Sequence, residues 1–257
     1  MNRPQREPSE RDLRDIEAIK RTYNKSKGTY GSKHIAGELK ERGHIIKHKR
    51  VARLMRELNL KSKIRKARST RETRTNLLGF VYPKLINRDF NAILPNLKWV
   101  MDLSEIKVEG AKLFISALVD LFNRELIAVA VGSRPSYDLV EATISMAMKE
   151  RGLQSMEDIL LHTDQGSVFT SHQHHKQSKN LGFIPSMSRK ANCWDNAVME
   201  SIFSHFKTEF EHHFPLYNYS QAKTDILTFR CYFNEERSQK RLGYKTPKAF
   251  LEAHLMS

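Results

Sequence analysis

The sequence predicts two domains, a helical one at the amino terminus and an α/β one after it. Apolar residues recur at helical spacing through the first 60 residues, and the pattern changes to strand-like segments from residue 97. The net charge of +15 is uneven as well, because residues 1–75 carry 23 Lys and Arg against 9 Asp and Glu, a balance of +14. A chain of 257 residues is long enough to give each domain its own core.

The amino-terminal part is predicted to form three helices. Apolar residues at helical spacing predict the first helix around residues 16–23, and a turn with two glycines ends it. Ser32 can cap a second helix that runs to about Arg42. After the four residues 43–46 a third helix follows, with its apolar positions within 51–58. The short connection predicts a helix-turn-helix.

The basic residues predict the partner of this helical part. Positive charge that is clustered on helices indicates a polyanion, most often nucleic acid, held through phosphate contacts that weaken with salt. The candidate DNA contacts are Lys47, Lys49, Arg50, Arg53, Arg56, Lys61, Lys63, Arg65, Arg189 and Lys190. A small helical bundle whose basic face touches nothing is the alternative reading of the same spacing.

The α/β part follows a polar, basic stretch that predicts an extended linker. Its elements are predicted as strands at 99–108, 112–119 and 126–131, a helix at 137–151, a strand at 158–162, a helix at 171–180, a strand at 183–187, a helix after Asn196, and helices at 220–233 and 247–255. The predicted domains are a helix-turn-helix domain at 1–60, a basic linker at 61–95, an α/β core at 96–215 and a helical extension of that core at 216–257.

Three carboxylates are placed where the predicted fold can bring them together. Asp102 lies in the first strand, Asp164 just after a later buried strand, and Glu200 on a helix that begins after Asn196. Converging carboxylates repel one another unless they hold hard cations, and two Mg²⁺ ions can activate the attacking oxygen and stabilise the leaving oxygen of a phosphodiester. Each residue taken alone has a simpler reading, as a strand-edge, turn or solvent-facing carboxylate.

Other classes of site and location are less well supported by the sequence. His172, His174 and His175 cluster on one predicted helix, which makes zinc conceivable, but no second ligand pair completes such a site. Cys193 and Cys231 lack the spacing of a disulfide framework or a structural zinc, so they are read as reduced thiols. No apolar run long enough to span a membrane and no signal peptide is visible, which predicts a cytoplasmic, nucleoid-associated protein with no membrane partner.

Six motifs together resemble a known family. They are YGSKHIAGELKERG with HKRVARLMRELNLKSK, WVMDLSEI around Asp102, LHTDQGSVFTS around Asp164, SMSRKANCWDNAVMESIFSHFKTE around Glu200, and FNEERSQKRLGYKTP near the end. In combination they resemble the catalytic proteins of the insertion sequence three family of bacterial transposons, which share the DDE core of retroviral integrases. The resemblance covers nearly the whole chain.

The resemblance implies a fold, an activity and partners. The fold it implies is an RNase H-like mixed sheet flanked by helices, preceded by an all-α helix-turn-helix domain. It implies that Asp102, Asp164 and Glu200 are catalytic and bind Mg²⁺ in two sites, with Mn²⁺ able to substitute. The implied activity is cleavage and joining of DNA strands, and the implied partners are the element's terminal inverted repeats and target DNA, with a multimer assembled on the DNA.

The chain departs from the family's pattern at a few positions. Ala191 stands where the family commonly has glycine, Met101 where it has threonine, and Phe233 where it has tyrosine. The family's upstream-frame protein, which carries a leucine zipper, is a further expected partner, because no such heptad run is visible here. Two other functions stay open at this stage. They are a DNA-binding regulator that does not cut, and an RNase H-like nuclease that does not join.

Overall fold

The computed structural model describes residues 9–63, 79–108, 111–189, 195–214 and 219–256. The chain divides into two compact units, one made of residues 1–66 and 237–246 and the other of residues 67–236 and 247–257. We call them the helical unit and the α/β unit. In the parts of the chain described, no helix combines the length and the apolar character needed to cross a membrane.

The helical unit contains the three helices that the sequence predicts. They are α1 (Glu10–Lys25), α2 (Ser32–Glu41) and α3 (His48–Glu57). Ser9 begins α1 with a capping box, because its side chain accepts from the Asp12 amide and the Asp12 side chain accepts from the Ser9 amide. The core between the helices is apolar and fully buried, and it includes Ile19, Ile35, Leu39, Val51 and Leu54. The apolar residues whose spacing predicts these helices therefore face inward.

Residues 237–246 also belong to the helical unit, although the sequence places them within the predicted extension of the core. They contain a short 3₁₀ helix, η1 (Lys240–Leu242). His34 on α2 lies 3.1 Å from the carbonyl oxygen and 3.0 Å from the hydroxyl of Ser238. That hydroxyl donates to buried Glu38 over 3.0 Å, so α2 is held by a segment that lies 200 residues later in the chain.

The α/β unit is built on a five-stranded mixed sheet in the order β3-β2-β1-β4-β5. The strands are β1 (Lys98–Val108), β2 (Ala111–Asp120), β3 (Leu126–Gly132), β4 (Leu160–Thr163) and β5 (Ile184–Met187). The first three form the predicted antiparallel meander, and β4 and β5 add to β1 in parallel. The helices are α4 (Tyr137–Arg151), α5 (His172–Leu181), α6 (Ala197–His213), α7 (Tyr219–Glu235) and α8 (Pro247–Leu255).

Helices cover both faces of this sheet. On one face Val100 of β1 packs in a core with residues of α6 and α7, such as Met199 and Phe229. On the other face the neighbouring residue Trp99 packs with residues of α4, such as Val140 and Ile144. Successive side chains of a strand point to opposite faces. The parity of a residue in β1 therefore decides which helical layer it meets, and even-numbered Asp102 shares the α6 face with Val100.

The segment before β1, residues 79–97, packs on the α/β unit, and we call it the strap. Its amino-terminal end is fixed by the Phe80 amide, which donates to the Thr170 carbonyl over 2.9 Å, while the Phe80 ring stacks on His175 at 3.9 Å between ring centroids. Further along, the Leu85 amide donates to the Ser186 hydroxyl over 2.9 Å, and Ile86 is buried. Most of the strap falls in the range that the sequence reads as a linker.

Candidate active site

Asp102 and Asp164 lie side by side at the junction of β1 and β4. The two strands are parallel, with Val100 opposite His162. Two residues further along, this register sets Asp102 beside Asp164, which follows the last residue of β4. Each carboxylate accepts a nearby backbone N–H, from Leu103 over 2.7 Å and from Gly166 over 2.8 Å respectively. The pair is therefore held in place by the backbone of β1 and of the turn after β4.

The start of α6 faces this pair. Asn196, the residue before α6, donates its side-chain amide to Asp102 Oδ2 over 3.0 Å. Glu200 lies in the first turn of α6 and is exposed, while its neighbour Met199 is buried in the core that contains Val100. The packing of α6 on the sheet thus brings the third predicted carboxylate to the same edge as the other two.

The charges of Asp164 and Glu200 both act on the carboxyl group of Asp102. Burial, and then the neighbouring charges of Asp164 and Glu200, raise the pKa of Asp102 to about 7, against the opposing effect of its two N–H donors. Burial also raises the pKa values of Asp164 and Glu200. Because the pKa values of all three carboxyl groups are raised, the protein alone does not stabilise their ionised forms. A cation between them would restore the ionised forms.

The chemistry of these donors fits Mg²⁺, a cation that prefers carboxylate and carbonyl oxygens. The buried side-chain oxygen of Asn196, beside Asp102, has no hydrogen-bond partner among the described residues and adds a further oxygen to the set. Across the same described residues, no three His, Cys, Asp or Glu side chains are already arranged to hold an ion. Glu200 is exposed, so its side chain has room to turn toward the aspartates.

The histidines of α5 are engaged in packing. His174 is buried between Phe169 and Phe183, and burial lowers its pKa to about 4. His175 stacks on Phe80 and contacts the hydroxyl of Tyr82. His174 and His175 thus tie α5 to the core and to the strap.

We call Asp102, Asp164 and Glu200 the triad. The fully buried carboxylate of Asp195, one residue before the Asn196 that donates to Asp102, was not singled out in the sequence. Asp195 Oδ2 accepts from the Arg189 Nε over 2.7 Å, and Oδ1 lies 3.1 Å from the Arg88 Nε and 3.8 Å from the Lys84 Nζ. Hydrogen bonds from Arg189 are the main cause that holds the pKa of Asp195 far below its usual range. The only hint in the sequence is the placement of an aspartate next to the predicted start of a helix.

The imidazole of His162 connects Asp195 to the sheet. Its Nε2 donates to the Asp195 carbonyl oxygen over 2.9 Å, and its Nδ1 lies 2.9 Å from the Ser186 hydroxyl. Burial lowers the pKa of His162, which favours the neutral ring. The start of α6 is thereby joined to β4 and β5 by one buried side chain.

Most of the candidate DNA contacts that are described lie on exposed surface. In the helical unit, the candidates with exposed side chains are Lys47, Lys49, Arg53, Arg56, Lys61 and Lys63. Arg53 also pairs with Glu57 over 2.8 Å, and Arg189 is held by Asp195. Lys190 and Arg65 lie outside the described residues.

Arg50 differs from the other candidates on α3. Its Nε donates to Asp15 Oδ2 over 2.7 Å and its terminal nitrogen to Asp12 Oδ1 over 2.8 Å, both on α1. Asp15 is buried, and it also accepts from His44 over 2.7 Å. In this structure Arg50 therefore links α3 to α1, and its guanidinium does not extend outward as the neighbouring lysine does.

A helix-turn-helix followed by a mixed sheet with acidic residues on its adjoining parallel strands, Asp102 within β1 and Asp164 just after β4, defines the class of integrase-type recombination proteins. Family models agree, because an HTH-like domain matches residues 10–68, and integrase core domains match residues 94–193 and 181–247. The chain belongs to the family of insertion-sequence transposases, with an integrase-like catalytic core.

Individual relatives support this assignment. The chain is 36% identical to the InsK protein of insertion sequence element IS150 from Escherichia coli (strain K12), over 89% of this chain and 80% of the relative. It is 31% identical to the transposase of insertion sequence element IS904 from Lactococcus lactis subsp. lactis (strain IL1403), over 96% and 97% of the two chains.

A solved structure supports the fold. A chain in the simian T-cell lymphotropic virus intasome, solved in complex with PP2A regulatory subunit B56 gamma, resembles this one with a TM-score of 0.53. The two are 14% identical, and the match covers 90% of this chain and 72% of that one.

Proposed function

We propose that this transposase cleaves and joins DNA strands at insertion-sequence ends by Mg²⁺-dependent phosphoryl transfer. The observation that carries the proposal is the β1–β4 register, which sets Asp102 beside Asp164 on the face that α6 covers with Glu200. The raised pKa of Asp102 supports it further, because burial and the charges of the other two carboxyl groups both contribute. Carboxyl groups with pKa values shifted in this way are concentrated at functional sites.

In this proposal Asp102, Asp164 and Glu200 are the catalytic metal ligands, and two Mg²⁺ ions are held there, with Mn²⁺ as a substitute. Bound divalent ions would supply activation of the attacking oxygen and stabilisation of the leaving oxygen. The chain's own residues orient the ligands. Asn196 fixes one oxygen of Asp102, and the Gly166 amide fixes one oxygen of Asp164.

Double-stranded DNA is the proposed substrate, both at the element's terminal inverted repeats and at the target. The helical unit would hold it through exposed cations such as Lys47, Lys49 and Arg56. Contacts of this kind neutralise phosphates and weaken steeply with salt. We further propose that the protein acts as a multimer on DNA, with the element's upstream-frame protein as an additional partner.

The test is a cleavage and joining assay on DNA that carries the element's ends, in Mg²⁺ and in EDTA. We expect Asp102→Asn, Asp164→Asn and Glu200→Gln each to reduce 3′-hydroxyl formation to the level seen in EDTA, while DNA affinity stays nearly unchanged. The matched control is Glu105→Gln, which removes an exposed carboxylate from the same strand as Asp102. This control should cleave like the wild-type protein.

Each failure of this assay has its own meaning. A triad variant that keeps wild-type cleavage removes that residue from the ligand set. A wild-type protein that binds the ends without cutting them is a DNA-binding regulator. One that cuts without producing joined strands is a nuclease.

A further inference from the structure

The strap brings two cations to the edge of the candidate active site. Arg88 and Lys84 both approach Asp195 Oδ1, at 3.1 Å and 3.8 Å, and Arg189 reaches the same carboxylate from the segment after β5. Asp195 is fully buried, whereas the side chains of Arg88 and Arg189 are 52% and 54% exposed. The Lys84 side chain is 18% exposed. The cluster therefore has an anionic centre that is inaccessible and a cationic rim that is open to solvent at Arg88 and Arg189.

This cluster holds more positive charge than Asp195 requires. Arg189 alone supplies its Nε, a terminal nitrogen and its backbone N–H to the two carboxylate oxygens, over 2.7, 3.1 and 3.3 Å. A bidentate arginine already neutralises a carboxylate. Arg88 and Lys84 add two more charges, and like charges placed together are unfavourable unless another anion balances them.

The carboxylate that holds the surplus charge is connected by hydrogen bonds to residues beside Asp102 and Asp164. Asp195 precedes Asn196, whose amide donates to Asp102. The Asp195 carbonyl also accepts from His162, which lies two residues before Asp164. An anion on the cationic rim would therefore lie near the carboxylates that are proposed to hold the metal ions.

The backbone of the strap has an uncommon, left-handed conformation at Arg88 and at the residue before it. Asn87 and Arg88 both have left-handed conformations, with φ of 45° and 63°. Such conformations are costly for residues other than glycine, and they persist only where the surroundings fix them. Here the preceding amides of Leu85 and Ile86 both donate to the Ser186 hydroxyl, which anchors the turn to β5.

We propose that Lys84 and Arg88, together with Arg189, hold a backbone phosphate of the DNA substrate beside the triad. This inference rests on the proposed function, since it requires DNA to reach the carboxylates. The strap is then part of the substrate site and does more than connect the two units. The ligand it takes is a phosphodiester, recognised by charge and without regard to base sequence.

The test is the salt dependence of DNA binding by the full chain, with Arg88→Gln and Lys84→Gln, singly and together. Each phosphate contact that is lost should reduce the slope of log affinity against log salt by about 0.9. The double variant removes two of the three cations on the one phosphate and should lose most of that amount, and each single variant should lose less. Arg88→Lys keeps the charge and should keep the slope. Lys112→Gln is the control, because it removes a cation that pairs with exposed Glu105 on the β1–β2 hairpin.

Thermal unfolding of the same variants separates the two possible roles of the cluster. If the slopes stay at the wild-type value while the melting temperature falls, the cations only support α6 and the inference is overturned. A slope that falls equally with Lys112→Gln would overturn it too, because the effect would then be general charge. A wild-type chain that binds no DNA would overturn the proposed function together with this inference, whereas an unchanged slope with normal binding overturns this inference alone.

Discussion

Replacing Gly37 by alanine tests whether residues 237–246 are an integral part of the helical unit. Gly37 lies on α2, directly under the ring of Tyr244. A Cβ added at Gly37 would lie 1.9 Å from Tyr244 Cζ and 2.3 Å from both Cε atoms. Two carbon atoms in contact are about 3.5–4.0 Å apart. The ring would therefore have to move away by more than roughly 1.5 Å.

Two opposing effects determine the magnitude. Alanine in place of glycine within a helix is favourable by about 1 kcal/mol when nothing obstructs it. Overpacking typically costs about 1–3 kcal/mol, and the cost here should be near 3 kcal/mol because the added methyl overlaps the body of the ring. The Tyr244 hydroxyl donates to the Lys33 carbonyl over 3.4 Å and the ring meets the edge of His34, so moving it disturbs both contacts. We expect a net destabilisation of about 2 kcal/mol.

Hydrogen exchange of the α2 amides is the assay, because it reports local unfolding of the helical unit without assuming that both units unfold together. Tyr244→Ala supplies the second arm of a double-mutant cycle. In that background Gly37→Ala meets no ring, so it should stabilise α2 by about 1 kcal/mol. If Gly37→Ala stabilised α2 in the wild-type background as well, the packing of residues 237–246 on this helix would be refuted.

Two further predictions concern charges. Arg50→Gln should destabilise the helical unit by about 2 kcal/mol, because it removes a charged hydrogen bond from buried Asp15. The same change should leave the discrimination between element ends and random duplex nearly unchanged. Competition binding alongside Lys49→Gln checks this. In EDTA, Asp102→Asn should melt at a higher temperature than the wild-type protein at pH 8 but not at pH 4. The reason is that the raised pKa of Asp102, about 7, means that ionisation destabilises the fold as the pH rises; equal melting temperatures at pH 8 would contradict this.

Much of the secondary structure could be predicted because its signals are local. The three amino-terminal helices follow from apolar spacing within single helices, and the meander follows from three short strand patterns separated by turns. The neighbouring positions of Asp102 and Asp164 follow from a parallel pairing of two strands, which the order of elements makes the natural arrangement. Local patterns combined with simple topology therefore located the candidate carboxylates.

The parts that could not be predicted depend on contacts between distant residues. Nothing near Tyr244 indicates that its ring packs on Gly37, which lies more than 200 positions earlier. The direction of the Arg50 side chain is set by two aspartates on another helix, so its position on α3 alone suggested an outward, DNA-facing role. For the strap the sequence does contain an indication, because the apolar residues around Phe80–Ile86 within the predicted linker are typical of a segment that packs on a core.

The pKa values of two carboxylates near the start of α6 are shifted in opposite directions. Asp195 is surrounded by cations, and its pKa is held far below the usual range, chiefly by Arg189. Asp102 receives two neutral N–H donors, and its pKa rises to about 7 because burial and two other carboxyl groups outweigh them. A site that had to be stable without ligands would gain by placing one of these cations beside Asp102. The cations are instead held at Asp195, which precedes the Asn196 that donates to Asp102. This arrangement is expected if, as proposed, divalent ions neutralise the carboxylates and DNA phosphate neutralises the cations.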